Sequence, residues 1–167
     1  MSKPFRRHHL KVKDFKAVLE KLPANLREAI SLKLSKKLRI EVCEVNHDLR
    51  IYLVEGKPLI LEKPSGEVFP SLLYSEALAG LPRIVVDRGA VAAVCRGADV
   101  MRPGIVRIEG EFDSGDLVAI VDEAHGKPIA LGLSLTSSKL MEEASRGKMV
   151  KTIHHVGDKN WNLYRNF

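Results

Sequence analysis

Apolar positions Val12, Phe15, Leu19 and Leu22 fall three or four residues apart, the spacing of one face of an amphipathic helix. Pro23 ends that face. Asn25 stands ahead of "LREAI" with Glu28 three residues on, the form of a capping box, and predicts a second helix. Ala29, Ile30, Lys33 and Leu34 continue it, and Lys36 and Lys37 close it with cations at the negative end of the helix dipole. The period then shortens to two. "LRIEVCEV" (38–45), "LRIYLVE" (49–55) and "PLILEK" (58–63) predict an antiparallel meander of about three strands, packed on the two helices. Two prolines and a glycine make "KPSGEVFP" a loop, and "SLLYSEALAGLP" (71–82) reads as a short helix stopped by Gly80 and Pro82.

A different texture follows. "RIVVD" is a short strand, and "RGAVAAVCRG" (88–97) is a small-residue helix ending near Gly97. "MRPGIVRIE" contains a turn that leads into a strand. "GEFDSGD" is a turn cluster, and "LVAIVDEA" and "PIALGLSL" are strands joined across "HGK", a hairpin. "SSKLMEEASRG" is a helix with cap candidates at Thr136 to Ser138. "MVKTIHHV" is a last strand, and "GDKNWNLY" a turn and tail. The pattern predicts an α+β protein of two domains, with helices on an antiparallel sheet over 1–80 and a compact barrel-like β domain over 81–167.

Length and composition agree with two small domains: 167 residues, 45% of them hydrophobic, enough for packed cores rather than disorder. No apolar run is long enough to span a bilayer, and the charged N-terminus "MSKPFRRHHLKVKDF" lacks the apolar core of a secretory signal. The expected setting is cytoplasmic, without membrane partners. Cys43 and Cys95 both sit in apolar stretches, as free cysteines do. Charge is uneven. Residues 1–40 hold twelve Lys or Arg against three Asp or Glu, +9, which leaves −3 for the rest of a chain whose total is +6. A basic N-terminal quarter attracts nucleic acid or an anionic surface; the plainer alternative is lysines that solvate two helices.

Catalytic sets are missing from the pattern. There is no GxxxxGK[ST] loop, no GxSxG elbow and no His-Cys set with zinc spacing. His8-His9 and His154-His155 are neighbours whose side chains point in different directions, which disfavours chelation. Asp113, Asp116, Asp122 and Glu123 cluster in or beside turns, where aspartate caps backbone groups; a carboxylate pair for acid-base work is the competing reading. The expectation is a protein that is not an enzyme and takes no cofactor or metal.

From "VDRGA" through "GADVMRPGI", "GDLVAIV" and "PIALGLS" to "HHVGDKNW", the second half resembles a PUA domain, the RNA-binding module named after pseudouridine synthases and archaeosine transglycosylases. The pieces occur in the family's order over residues 84–161. With a basic region ending in "GEVFPSLLY" before it, the whole chain resembles the malignant T-cell-amplified sequence family, a pre-PUA domain followed by a PUA pseudo-barrel. In eukaryotes that family works with the density-regulated protein on the small ribosomal subunit, loading or releasing tRNA.

The resemblance implies an RNA-binding role in translation, with tRNA favoured, rRNA as the alternative ligand, and the small ribosomal subunit and a translation-factor partner as assemblies. It implies an RNA surface around the "GADVMRPGI" segment: Arg96 and Arg102 against phosphates, Gly97 and Ala98 allowing close approach, Met101 and Pro103 offering apolar surface, and Arg88 as a further RNA-binding residue. Lys148, Lys151 and His155 of the last strand line the same surface. Asp99 is out of place there, since an acid repels phosphate; it caps a backbone amide or receives a base amino group. Arg6, Arg7, Lys36 and Lys37 add sequence-independent attraction. Trp161 is either a stacking platform or a side chain packed on its own domain. Competing functions are ribosome assembly on precursor rRNA, an accessory subunit of an RNA-modifying system (pseudouridine synthase or transglycosylase), and a protein-interaction module docking through "FPSLLYSEALAGLP".

Overall fold

The computed structural model describes residues 5–32, 34, 37–45 and 47–167. Two compact units make up the chain: Met1–Ala77 together with Asn166–Phe167, and Leu78–Arg165. No helix among the described residues is long and apolar enough to cross a membrane.

The first unit is a five-stranded antiparallel sheet with two helices. Its strands are β1 (Arg7–His9), β2 (Ile40–Val45), β3 (Leu49–Val54), β4 (Lys57–Glu62) and β5 (Val68–Pro70), paired in chain order. The helices are α1 (Val12–Leu19) and α2 (Ala24–Ser31); a short α3 (Ser75–Leu78) follows β5. Phe15 and Leu19 of α1 and Leu26 and Ile30 of α2 are the buried positions of their helices. The Phe15 ring lies 5.9 Å from that of Tyr52 on β3, which seats α1 on the sheet. The last residue, Phe167, stacks 5.2 Å from Phe5.

Several expectations for this unit are corrected. The meander has five strands, not about three. Arg7–His9 is exposed throughout, so an edge strand held by backbone pairing to Glu41–Cys43 carries no apolar alternation to announce it. Part of the "KPSGEVFP" loop is β5, an edge position that tolerates Pro70. The capping box at Asn25 does not form: α2 begins at Ala24 behind Pro23, so Asn25 is already inside the first turn. The helix ends at Ser31, short of the lysines expected to close it; Lys37 lies in a later turn, and Lys33 and Lys36 fall outside the described residues.

The second unit is a six-stranded sheet. Its strands are β6 (Arg83–Val86), β7 (Val100–Met101), β8 (Ile105–Glu109), β9 (Leu117–Asp122), β10 (Pro128–Ser134) and β11 (Lys148–His155), in the order β7-β11-β10-β9-β6-β8. β6 and β9 are parallel, and the other neighbours are antiparallel. Helix α4 (Arg88–Val94) follows β6, α5 (Ser138–Glu143) follows β10, and α6 (Lys159–Tyr164) follows β11. β7 and β8 occupy opposite edges of the sheet, yet a single 3-10 turn, Arg102–Gly104, joins them. The chain can cross from one edge to the other in three residues because the sheet curls until its edges meet. The result is a pseudo-barrel with the 3-10 turn as its seam, filled by Ile84, Val86, Val118, Ile120 and Val150 and plugged by Met141 of α5. Gly104 is required at the seam: a Cβ there would stand 2.8 Å from Cβ of Ala90 on α4.

The C-terminal "GDKNWNLY" is a helix rather than a turn and tail. Asp158 is the N-cap of α6, its side chain accepting from the Trp161 amide. The Trp161 ring is half-buried and packs edge-on against Tyr164, 5.7 Å between centroids, which favours packing over an open stacking platform.

Candidate nucleic-acid interface

Helix α4 is closed at both ends by side-chain and turn chemistry, and this builds the candidate loop. Asp87 caps its start by accepting from the Ala90 amide at 2.9 Å. At its end the Gly97 amide donates to Val94 and the Ala98 amide to Ala93, the paired bonds of a Schellman ending. Gly97 turns the chain with φ of +92°, a left-handed conformation that suits glycine. Arg96, Gly97 and Ala98 are left exposed at the apex.

Beyond that apex the loop is latched to β11. β7 pairs with β11 only at Met101–Lys148 and Val100–Val150. One residue before β7, Asp99 takes over: its Oδ1 accepts from the Thr152 amide at 2.9 Å, in the place where a longer strand would have paired. Its Oδ2 lies 2.9 Å from Lys148 Nζ. The Thr152 hydroxyl donates to the Ala98 carbonyl at 2.9 Å. The hydrogen bond from Lys148, with the Thr152 amide and the charges of Lys148 and Lys151, holds the Asp99 carboxyl below its usual range against the opposing effect of burial. Asp99 thus caps a backbone amide, and both of its oxygens are engaged.

His155 faces the same apex. Its Nδ1 lies 2.9 Å from the Val156 carbonyl. A carbonyl only accepts, so Nδ1 donates this bond, and Nε2 is the ring's other polar atom. That Nε2 is the nearest atom to a Cβ built on Gly97, at 3.5 Å. The structure therefore gathers Arg96, Gly97, Ala98, Lys148, Lys151 and His155 around one latch. Met101 is 48% exposed on β7 opposite Lys148.

Arg102 is held within the seam. Its Nε donates to the Met141 carbonyl at 2.8 Å and its Nη1 to the Ile105 carbonyl at 3.2 Å, and its own amide donates to Gly147. The half-buried guanidinium ties the seam to the end of α5. Pro103 is exposed beside it. Arg88 stands at the first turn of α4, in a cleft with Val91, Asp122, Glu123, Ala124 and His125. In the first unit Arg6 and Lys37 are exposed, and the Arg7 guanidinium sits 5.0 Å over the Phe167 ring.

The remaining chemistry is structural. Asp116 accepts from the Asp113 amide and Asp122 from the Ala124 amide, as turn aspartates do. His125 pairs with Asp122 at 2.9 Å in an exposed turn. Burial pushes both thiols up, Cys95 further through the Asp122 charge and Cys43 against the lowering effect of Arg7, which disfavours thiolate chemistry at neutral pH. Among the described residues no three His, Cys, Asp or Glu side chains are grouped to hold a metal ion. Sequence reasoning missed the set formed by buried His154 and Tyr164 with half-buried Asp158. Its one visible signal is Asp158 three residues ahead of Trp161, an N-cap spacing.

A small pseudo-barrel whose seam is a 3-10 turn, with a glycine-turned loop fastened to its last strand, is the architecture of a PUA module. Residues 82–156 match the PUA domain family, and residues 6–75 match a domain of unknown function, DUF1947. A hypothetical protein from Pyrococcus horikoshii OT3, solved as a crystal structure, is 38% identical with a TM-score of 0.80, over 95% of this chain and 99% of that one. Translation machinery-associated protein 20 of Saccharomyces cerevisiae is 29% identical over 90% of this chain and 87% of its own length. Malignant T-cell-amplified sequence 1 of Danio rerio is 25% identical over 87% and 82%. The chain belongs to this family, in which a pre-PUA region precedes a PUA domain.

Proposed function

We propose that this protein is a non-catalytic RNA-binding protein of the translation apparatus that holds tRNA, alone or on the small ribosomal subunit. The observation that carries the reading is the latched apex, where Arg96, Gly97 and Ala98 stand exposed beside Lys151 and His155 on a surface fixed by side-chain bonds. Structured RNA is recognised through shape, backbone and unpaired nucleotides. An exposed loop fastened by side-chain bonds, with a glycine at its tip, suits that task, because backbone can approach backbone there. Exposed cations supply the sequence-independent attraction, Arg96 and Lys151 at the apex and Arg6 and Lys37 in the basic first unit. Kinship with proteins named for the translation machinery supports the same reading.

The test is equilibrium binding to intact tRNA, tRNA lacking its 3′ end and a ribosomal RNA fragment across a salt series. Tighter binding to intact tRNA, weakened by Arg96→Ala and Lys151→Ala, supports the reading. Tighter binding to the ribosomal fragment turns it toward ribosome assembly. Equal binding to all three, unmoved by either variant, overturns it.

A further inference from the structure

A carboxylate at the centre of a surface meant for RNA is a contradiction if attraction is all that matters. Removing it should then tighten binding. The bonds around Asp99 lead to the opposite conclusion. One oxygen is fixed by a backbone amide of β11, Thr152, and the other holds the ammonium of Lys148 at 2.9 Å. Asp99 and Lys148 are respectively 26% and 53% exposed at their side chains, so the pair stabilises the fold little, as exposed ion pairs do. Its consequence is electrostatic. A cation whose nearest neighbour is a pre-oriented carboxylate offers a phosphate little net charge, and taking it would strip the carboxylate of its partner.

We propose that Asp99 is a positioning residue that fastens the Arg96–Ala98 loop to β11 and withholds Lys148 from RNA phosphate, leaving recognition to the shape of the loop. The inference rests on the RNA reading above and deepens it.

A double-mutant cycle separates the two parts. Asp99→Asn keeps an oxygen for the Thr152 amide and releases Lys148. The dependence of RNA affinity on salt then steepens by about one phosphate contact, roughly a threefold greater loss of affinity between ~50 and ~200 mM salt. Lys148→Met brings the slope back in the Asp99→Asn background and leaves it unmoved in the wild type, a non-additivity that general destabilisation does not produce. Asp99→Ala, which also frees the loop, weakens binding to intact tRNA even though a negative charge has gone. Melting temperatures of the wild type and the four variants show whether they remain folded. An unchanged slope in Asp99→Asn, or a Lys148→Met effect equal in both backgrounds, overturns this inference and leaves the RNA reading standing. A wild-type protein that binds no RNA overturns both.

Discussion

Asp158 holds the buried His154 from outside the strand: the carboxylate Oδ2 lies 2.7 Å from His154 Nδ1, while His154 itself has no exposed surface. The carboxylate only accepts, so Nδ1 donates to it, and Nε2 lies 2.7 Å from the Tyr164 hydroxyl. The same Asp158 accepts from the amides of His155 and Trp161. One side chain thus caps α6, docks it on β11 and braces the backbone of His155.

Asp158→Ala is therefore expected to cost more than a cap. A lost N-cap is worth ~1 kcal/mol, and the bonds to His154 and His155 go with it. The expected loss is about 2–4 kcal/mol by urea denaturation. A loss confined to the cap value would mean that His154 does not depend on Asp158.

Glu62 should make the first unit sensitive to acid. It is 7% exposed, receives the Tyr52 hydroxyl at 2.5 Å and pairs with Lys21. Burial pushes its carboxyl up, but hydrogen bonds from Lys21 and Tyr52 and the charges of Lys21 and Arg50 outweigh it, and the folded-state value lies below the ordinary 4.5. Burial and the carboxylate together push the Tyr52 phenol well above its usual value. A depressed carboxyl contributes stability above its unfolded value and loses it as pH falls through the folded value. Glu62→Gln should thus be less stable than wild type near neutrality, by about 1–3 kcal/mol. That gap should close as the pH is lowered below about 4.5. A gap that stays constant down to the acid transition would show that the carboxylate charge plays no part.

Gly97 and Gly104 should respond differently to alanine. At Gly97 the left-handed φ costs an alanine about 1–2 kcal/mol, and the methyl meets only His155 Nε2 at ordinary contact distance. The protein should fold, with RNA affinity reduced because the methyl covers the apex. At Gly104 the methyl collides with Ala90 at 2.8 Å, and overpacking of about 1–3 kcal/mol falls on the seam itself. Melting curves and tRNA titrations on the same samples check both. Equal RNA affinity in Gly97→Ala and wild type would remove the apex from the interface.

What could be read from the sequence divides along physical lines. Helices α1 and α2 and strands β2 to β4 were legible because burial imposes a period on their apolar residues. Strand β1 was not, since an edge strand held by backbone bonds needs no apolar side chain and "RHH" has none. Helix α6 was hidden for a different reason: six residues are too few to show a helical period, and they read as a tail until Asp158 is seen as a cap. The loop of the candidate site was legible as a glycine-stopped helix end, and its RNA role only through resemblance. The latch was invisible, because Asp99 and Thr152 are 53 residues apart and no local rule links an aspartate to a distant amide.

Arg96 and Arg102 look equivalent in the sequence and should behave as opposites. Arg96 is exposed at the apex, whereas Arg102 holds the carbonyls of Met141 and Ile105. Nothing in a sequence reveals a carbonyl acceptor, since every residue has one. Arg96→Ala should leave the melting temperature within a degree or so and weaken RNA binding, with a salt slope shallower by about one contact. Arg102→Ala should lower stability by about 1–3 kcal/mol, the cost of leaving half-buried carbonyls without donors. Arg102→Lys should not restore it, because an ammonium cannot span two carbonyls as a planar fork does. Any loss of RNA affinity in Arg102→Ala should follow the loss of seam order and leave the salt slope unchanged. A slope that falls in Arg102→Ala with stability intact would make Arg102 a phosphate contact after all.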